Sequence, residues 1–167
     1  MFGDPWPDVS DEALLARAEE WLDLDALAAG RGSDATSGLR GLLGWRESAR
    51  LDEVVPETIT VPSGSRIRID YPEPGSDTSP VLAVKLQECF GWADGPTVCD
   101  GRVRVVLHLL SPARRPLAVT DDLASFWASV YPAVRVENRG RYSKHPWPED
   151  PMTATPTKRT NRALRGN

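Results

Sequence analysis

The stretch GRVRVVLHLLSP, residues 101–112, has the strongest strand pattern in the sequence and decides the fold class. Apolar and polar positions alternate along it, as they do in a strand with one buried face. The buried face would carry four apolar residues, Val103, Val105, Leu107 and Leu109. The following PLAVT, 116–120, predicts a second strand joined to the first by a hairpin turn at SPARRP. A small sheet built around 101–112 is therefore expected to form the core.

Patterns upstream and downstream of this stretch complete the fold prediction. TITVPSGSRIRIDY, 58–71, alternates on both sides of a Pro-Ser-Gly turn and predicts a β-hairpin, while VLAVKLQECFGW, 81–92, suits a strand that ends in a helical turn. A serine cap and an apolar stripe at helical spacing predict a helix over 10–22. The pattern of 121–131 predicts a closing helix, and a second helix over 132–142, with Pro132 in its first turn, leads into the tail. The predicted class is α+β: an N-terminal helical portion, a small antiparallel β-sheet, a closing C-terminal helix and an extended proline-rich basic tail.

The charge distribution divides the chain in the same places. We expect an acidic helical portion over 1–56, an α+β core with its closing helix over 57–142, and an extended basic and proline-rich tail over 143–167, of which 160–167 is expected to be disordered. The formal net charge of −4 hides a gradient, because residues 135–167 carry eight Lys and Arg against three Asp and Glu. A basic end on an acidic body is typical of polyanion binding, although basic ends also serve as solubilising tails.

The sequence lacks the usual motifs of nucleotide-binding enzymes and the usual features of secreted or membrane proteins. It contains no GxxxxGK[ST] phosphate loop, and the glycines of SGLRGLLG, 37–44, lie in a helical, leucine-rich context that favours packing and helix breaks. We therefore expect no cofactor in this chain. The start is acidic and rich in proline, unlike a signal peptide, and the longest apolar run is too short for a bilayer. These features predict a soluble, cytoplasmic protein without a membrane partner. The sequence has no heptad pattern that would argue for a dimer, so a monomer is expected.

A catalytic or metal site is not predicted. Cys89 and Cys99 are expected to be free thiols in a reducing compartment, because two cysteines make no disulfide framework and no zinc-ligand spacing. Ser111, His108 and Asp100 can be drawn as a hydrolytic triad, but no nucleophile elbow supports that arrangement. A hydrogen-bonded structural role for His108 is the expectation.

The stretch RGRYSKHPWPEDPMTATPTKR, 139–159, is the main candidate for function because it combines cations, aromatic residues and prolines. Its cations would contact phosphates, and its aromatic rings could stack on unpaired bases. The candidate nucleic-acid contacts here are Arg139, Arg141, Tyr142, Lys144, His145, Trp147, Lys158 and Arg159. A cation beside His145 is expected to disfavour its charged form.

Four arginines form a second candidate set, Arg66, Arg68, Arg102 and Arg104. If their two strands are neighbours with the same facing, the guanidinium groups would line one side of the sheet and follow a phosphate backbone. The alternative is an ordinary solvated face.

The tryptophans divide into two groups. Trp21, Trp45 and Trp127 occupy apolar positions of predicted helices and are expected in the core. Trp147 lies in a Pro-Trp-Pro sequence, where the prolines favour an extended backbone. It could fill a groove on its own domain and hold the tail there, or it could serve as a stacking platform for a base.

Four segments carry a family resemblance: VPSGSRIRIDY, VLAVKLQECFGW, GRVRVVLHLLSPARRPLAVTDDLASFW and RGRYSKHPWPEDPMTATPTKR. From about Leu14 to Arg159 the chain resembles the C-terminal region of the HrpB family of bacterial DEAH-box ATP-dependent RNA helicases. Ser143 departs from the family, which usually has proline there. The resemblance implies a parent enzyme with two RecA-like motor domains that use ATP and Mg²⁺. No position here matches that machinery, so no catalytic residue is carried over.

Two functions follow from the resemblance and the tail together. The first is a non-catalytic accessory domain that contacts RNA through its basic C-terminal third. The alternative is a protein–protein docking module that braces the motor domains of the same parent, or recruits a partner through PWPEDP, 146–151.

Overall fold

The computed structural model describes residues 6–32 and 34–165, and the chain forms two compact units, Met1–Val54 and Val55–Asn167. Within the described ranges, no helix is both long and apolar enough to cross a membrane. The first unit contains short helices with the bounds α1 Asp11–Ala16, α2 Ala18–Trp21, α3 Leu24–Ala28, α4 Ala35–Gly41 and α5 Trp45–Val54.

The helix predicted over 10–22 is present as two pieces. Ser10 caps α1, since its side chain accepts a hydrogen bond from the Ala13 N–H. The chain leaves helical geometry at Arg17, whose φ and ψ are −116° and 22°. Trp21 joins the two pieces, because its Nε1–H donates to the Leu14 carbonyl over 2.9 Å.

Trp45 is not a core residue, and the expectation that it would be one is wrong. Its side chain is 86% exposed, whereas Val54 on the same helix is buried. Nine residues separate the two, which is two and a half turns, so their side chains leave opposite faces of α5. Trp21 is half-buried and Trp127 is buried.

Gly38 marks a close approach between α4 and α2. A Cβ atom built at this position would overlap the Trp21 carbonyl group, whereas one built at Gly41, on the same helix, would meet no atom within 4 Å. The sequence prediction that the glycines of 37–44 serve packing is confirmed at Gly38.

The strands and helices of the second unit follow the predicted order. Their bounds are β1 Thr58–Thr60, β2 Arg66–Arg68, β3 Val81–Lys85, a 3₁₀ helix Leu86–Cys89, β4 Thr97–Val98, β5 Val103–Arg104, β6 Val106–Leu110, β7 Pro116–Thr120, α6 Leu123–Ser125, a π-helical turn Phe126–Val130, α7 Tyr131–Arg141 and α8 Asn161–Arg165. The α+β class is confirmed.

The strands pair as three small sheets. β1 and β2 form the predicted antiparallel hairpin, β4 and β5 form another, and the central sheet has the order β3-β6-β7. β6 and β7 are antiparallel as predicted, but β3 and β6 run parallel, which the expected antiparallel sheet did not include. Residues 86–105 lie between them. They are long enough for the crossover connection of at least about a dozen residues that a parallel pair needs.

The core of the second unit lies under one face of the central sheet. Val105, Leu107 and Leu109 are buried there, as the alternation in 101–112 predicts, although the chain leaves β geometry at Val105 between β5 and β6. Aromatic rings from the closing helical region complete the core, with Trp127 and Tyr131 in edge-to-face contact at 5.4 Å between centroids.

Replacing Gly38 by Ala is expected to lower the free energy of unfolding of the first unit by about 1–3 kcal/mol, because the new methyl group forces α4 away from Trp21. Gly41→Ala is the matched control on the same helix and is expected to raise it by about 0.4–1 kcal/mol, since alanine reduces the entropy of the unfolded chain. Urea unfolding followed by far-UV circular dichroism measures both. Equal effects of the two substitutions would contradict the close packing at Gly38.

Candidate nucleic-acid interface

The segment that follows α7, residues 143–160 and hereafter the C-terminal segment, is attached to the second unit by its backbone carbonyl groups. The Tyr131 hydroxyl donates to the Pro148 carbonyl over 2.8 Å, and Arg135 Nε donates to the Trp147 carbonyl over 2.9 Å. The Gly91 N–H donates to the Pro151 carbonyl over 3.0 Å. Because proline has no N–H, a proline-rich segment cannot pair as a normal strand, and these donors satisfy its acceptors instead.

Further contacts hold the two ends of the C-terminal segment. Near its start, Trp147 packs partly buried against the core, and its Nε1–H donates to the Tyr142 carbonyl over 3.2 Å. Near its end, Thr157 is buried and its N–H donates to the Gln87 carbonyl over 2.9 Å. Trp147 therefore packs on its own domain and helps to hold the segment there.

Burial keeps the Tyr131 contact available at all ordinary pH values. The buried environment raises the pKa of the Tyr131 hydroxyl to about 12, and the nearby Arg135 opposes that shift. The hydroxyl therefore remains protonated and donates to Pro148. Arg135 also forms an ion pair with Glu149 at 3.2 Å.

The two ends of the C-terminal segment meet at Asn161, the first residue of α8. Its backbone N–H donates to the Lys144 carbonyl over 2.7 Å, and its Nδ2 donates to the Ser143 carbonyl over 3.3 Å. The cations on either side of Asn161 are thereby brought close to those at the start of the segment. We call the resulting patch the basic surface; it consists of Lys85, Lys144, His145, Lys158, Arg159 and Arg162.

His145 is the least charged member of the basic surface. Partial burial lowers its pKa below the ordinary value of 6.5, and the positive charge of Lys85 lowers it further. The disfavoured charge was expected, but the cation responsible is Lys85 on β3, and the neighbour Lys144 is not among the causes. The imidazole is therefore mainly neutral at pH 7.

The acidic side chains that are nearest in sequence do not neutralise the basic surface. Residues 151–165 contain no Asp or Glu. The two acids just before them are engaged elsewhere: Glu149 pairs with Arg135, and the Asp150 carboxylate accepts hydrogen bonds from the Met152 N–H and the Thr153 hydroxyl. The latter bonds lower the pKa of Asp150.

The remaining candidates of the tail lie at the end of α7. Arg139 and Arg141 are exposed in its last turn, and Tyr142 is half-buried. The Tyr142 carbonyl accepts hydrogen bonds from the His145 N–H and from Trp147 Nε1, so this residue shapes the turn that leads into the basic surface.

The four strand arginines are not brought together. Arg66 and Arg68 lie on β2 in the β1–β2 hairpin, whereas Arg104 lies on β5 and Arg102 in the turn before it, in the β4–β5 hairpin. The condition for a shared arginine face, that the two strands are neighbours, is not met because each pair belongs to a separate two-stranded sheet. Arg66 donates instead to the Thr58 hydroxyl on its own hairpin.

The stretch 160–167, which the sequence predicts to be disordered, contains the helix α8 at Asn161–Arg165. Two hydrogen bonds of Asn161 attach the start of this helix to the start of the C-terminal segment. Gly166 and Asn167 lie outside the described residues.

The sequence analysis missed Lys85, Arg135 and Arg162. Arg162 lies in the part that was expected to be disordered. Lys85 and Arg135 are ordinary cations on a strand and a helix, and their roles arise from contacts with residues 60 and 12 positions away, His145 and Trp147. No local pattern predicts such contacts.

The hydrolytic triad drawn from the sequence gains no support. Ser111 is buried, and its hydroxyl accepts the Arg115 N–H over 3.0 Å, which closes the turn between β6 and β7. His108 lies on β6 of the central sheet, while Asp100 lies in the turn of the β4–β5 hairpin with a φ of 54°. Cys89 and Cys99 are free thiols, and burial raises the pKa of both.

Comparison with known proteins identifies close relatives. The model of the ATP-dependent helicase C-terminal family, HrpB_C, matches residues 18–151. The ATP-dependent RNA helicase HrpB of Escherichia coli (strain K12) is 49% identical over 162 residues, which cover 94% of this chain and 20% of that protein. The chain thus spans about a fifth of the length of this relative.

Two solved structures have the same fold. The crystal structure of the E. coli DExH-box NTPase HrpB superposes with a TM-score of 0.83 and 49% identity, covering 93% of this chain and 19% of that one. The crystal structure of the Escherichia coli DEAH/RHA helicase HrpB gives a TM-score of 0.67 and 47% identity, over 85% of this chain and 18% of that one. The resemblance seen in the sequence motifs is confirmed.

The titration of His145 tests the geometry of the basic surface. We expect an NMR titration to give its imidazole a midpoint below 6.5, and Lys85→Gln to raise that midpoint because a positive neighbour is lost. Lys144→Gln is the control and is expected to change it less. The lowered pKa means that the imidazole binds a proton more readily in the unfolded chain than in the folded one. The free energy of unfolding is therefore expected to fall as the pH drops below about 6.5. A larger effect of Lys144→Gln than of Lys85→Gln would contradict the geometry.

Proposed function

The chain belongs to the HrpB-type family of ATP-dependent helicase C-terminal domains, and we propose that it is a non-catalytic accessory domain that contacts RNA through its basic C-terminal third. In this proposal the parent protein is an ATP-dependent RNA helicase of the cytoplasm. ATP and Mg²⁺ would act in the motor domains of that parent, outside these 167 residues.

The observation that carries the proposal is the basic surface. Hydrogen bonds from Asn161 hold two groups of cations together, and no acid from 151–165 offsets them. Lys144, Lys158, Arg159 and Arg162 are exposed, so their charged ends are accessible to a phosphate backbone. Contacts of this kind supply affinity without sequence preference.

The attachment of the C-terminal segment favours binding because the segment is ordered before RNA arrives. A flexible basic tail would lose conformational entropy when it settled on a ligand. Here the hydrogen bonds to Tyr131, Arg135 and Gly91 hold the backbone in one place without RNA. The backbone that carries the cations therefore already has one position before RNA binds.

A second candidate function is docking against the motor domains of the same parent, and it is supported by the first unit. Trp45 is 86% exposed and Leu15 is 75% exposed in a portion of the chain that is strongly acidic. Tryptophan is among the residues that are enriched in protein interfaces. Recruitment of a partner through PWPEDP, 146–151, would first require that segment to leave its own domain, because its carbonyls are already bound.

Charge reversal separates RNA contact from docking. Anisotropy of a labelled single-stranded RNA is measured with the chain at several salt concentrations, then with Lys144, Arg159 and Arg162 all changed to Glu. We expect binding of the native chain to weaken as salt rises, with a slope of log affinity against log salt concentration of about −0.7 per phosphate contact. The triple variant is expected to lose most of the affinity, and its slope is expected to be about 2 units shallower.

The matched control reverses Arg66, Arg68 and Arg104, which alters net charge equally but lies on the two separate hairpins. It is expected to keep most of the affinity. Equal losses in the two triple variants would mean that only net charge matters and would contradict a specific basic surface. Absence of binding at a low salt concentration of about 50 mM would contradict RNA contact altogether and favour docking.

A further inference from the structure

A groove of about 450 Å³ lies beside the basic surface, within the second unit. The indole of Trp147, the rings of Pro146 and Pro148 and the Ala154 methyl group give it an apolar lining, and Thr155 and Asn161 add a hydroxyl and an amide. The volume falls within the roughly 300–1,000 Å³ of small-ligand sites, which are mostly apolar with a few polar groups. This lining suits a planar group that can also form hydrogen bonds at its edge.

The charges around the groove select an anionic ligand. Lys144 and His145 immediately precede Pro146, and Arg159 and Arg162 flank Asn161 in sequence. Residues 151–165, which supply one side of the groove, include no acid. A flat group attached to a negatively charged chain therefore matches the groove and its surroundings together.

A second groove in the same unit provides a contrast. It has a volume of about 490 Å³ and includes Trp127 and Met152, so it is also apolar. Glu149 and Asp150 belong to its lining, however, and these carboxylates would repel a phosphate chain. Of the two grooves, only the one that contains Trp147 combines flat rings with neighbouring cations.

The aromatic ring that the first groove offers is also held in place. Trp147 is fixed at two points, by its Nε1–H bond to the Tyr142 carbonyl and by the Arg135 bond to its own carbonyl. A base that entered would meet a surface already arranged for it, without the cost of ordering a mobile side chain.

We propose that this groove binds one unpaired nucleobase of a single-stranded RNA whose phosphates lie on the basic surface. The inference rests on the proposed function. In addition to the phosphate contacts, the bound base would contribute to the affinity for RNA. Stacking of a base on an aromatic residue is sequence-tolerant, so the groove discriminates single strands from duplexes more than one base from another.

The test compares oligonucleotides that differ only in their bases. The chain is titrated with a uridine ribo-oligonucleotide, an adenosine one, and a ribose-phosphate oligomer of the same length that lacks bases. We expect the abasic oligomer to bind about 5- to 150-fold more weakly than the base-bearing ones, which is the loss in affinity for one stacked base. Its binding should depend on salt in the same way. The Trp147 indole N–H resonance is expected to shift with the base-bearing RNAs and not with the abasic one.

A groove-filling variant gives the second measurement. Thr155 is exposed at the groove, so Thr155→Leu is expected to occupy part of it without disturbing the core and without adding an aromatic ring. Affinity for the base-bearing RNAs should fall toward that for the abasic oligomer, while the salt dependence stays unchanged. Thr60→Leu, at an exposed position of β1, is the control and should leave both affinities as they are.

The outcomes separate this inference from the proposed function. Equal affinities for abasic and base-bearing oligomers would overturn the base-binding groove and leave the phosphate contacts standing. Unchanged base-dependent affinity in Thr155→Leu would also overturn it, because the base would then bind elsewhere. Absence of binding by every oligomer at low salt would overturn both the groove and the RNA contact.

Discussion

The attachment of the C-terminal segment through its backbone carbonyls is the interaction on which the candidate interface depends. Prolines remove N–H donors from this stretch, so it can join the fold only as a set of acceptors. Tyr131, Arg135 and Gly91 supply the donors, from α7 and from the loop after the 3₁₀ helix. Each such bond contributes about 0.5–1.5 kcal/mol, and they act together with the packing of Trp147. The basic surface and the groove both exist because this segment has one position.

This arrangement relates the acidic and basic parts of the chain to different tasks. The first unit carries the acidic charge and exposes Trp45, which suits contact with protein. The second unit gathers cations around Asn161, which suits contact with a phosphate chain. In an HrpB-type helicase the two tasks would be complementary, because a domain that docks on a motor can hold an RNA strand near it.

Local patterns in the sequence predicted much of the fold, and contacts between distant residues account for what they missed. Alternation predicted the β1–β2 and β6–β7 hairpins, because a period of two residues is visible within a short window. The parallel pairing of β3 with β6 depends on the whole path of 86–105 and leaves no local trace. The composition of the tail predicts that it is the functional stretch. Its attachment to Arg135, the meeting of Lys85 with His145, and the order of α8 all arise from tertiary contacts.

Amide hydrogen exchange measured by NMR tests most directly whether the C-terminal segment is a fixed part of the second unit. The informative amides are those of Gly91 and Thr157, whose N–H groups connect the segment to the core, with the β6 amide of Val106 as the internal reference. Our account predicts that the two amides are protected to an extent approaching that of Val106. Exchange of Gly91 and Thr157 at the rate of an unstructured chain, while Val106 stays protected, would show a detached tail and contradict it.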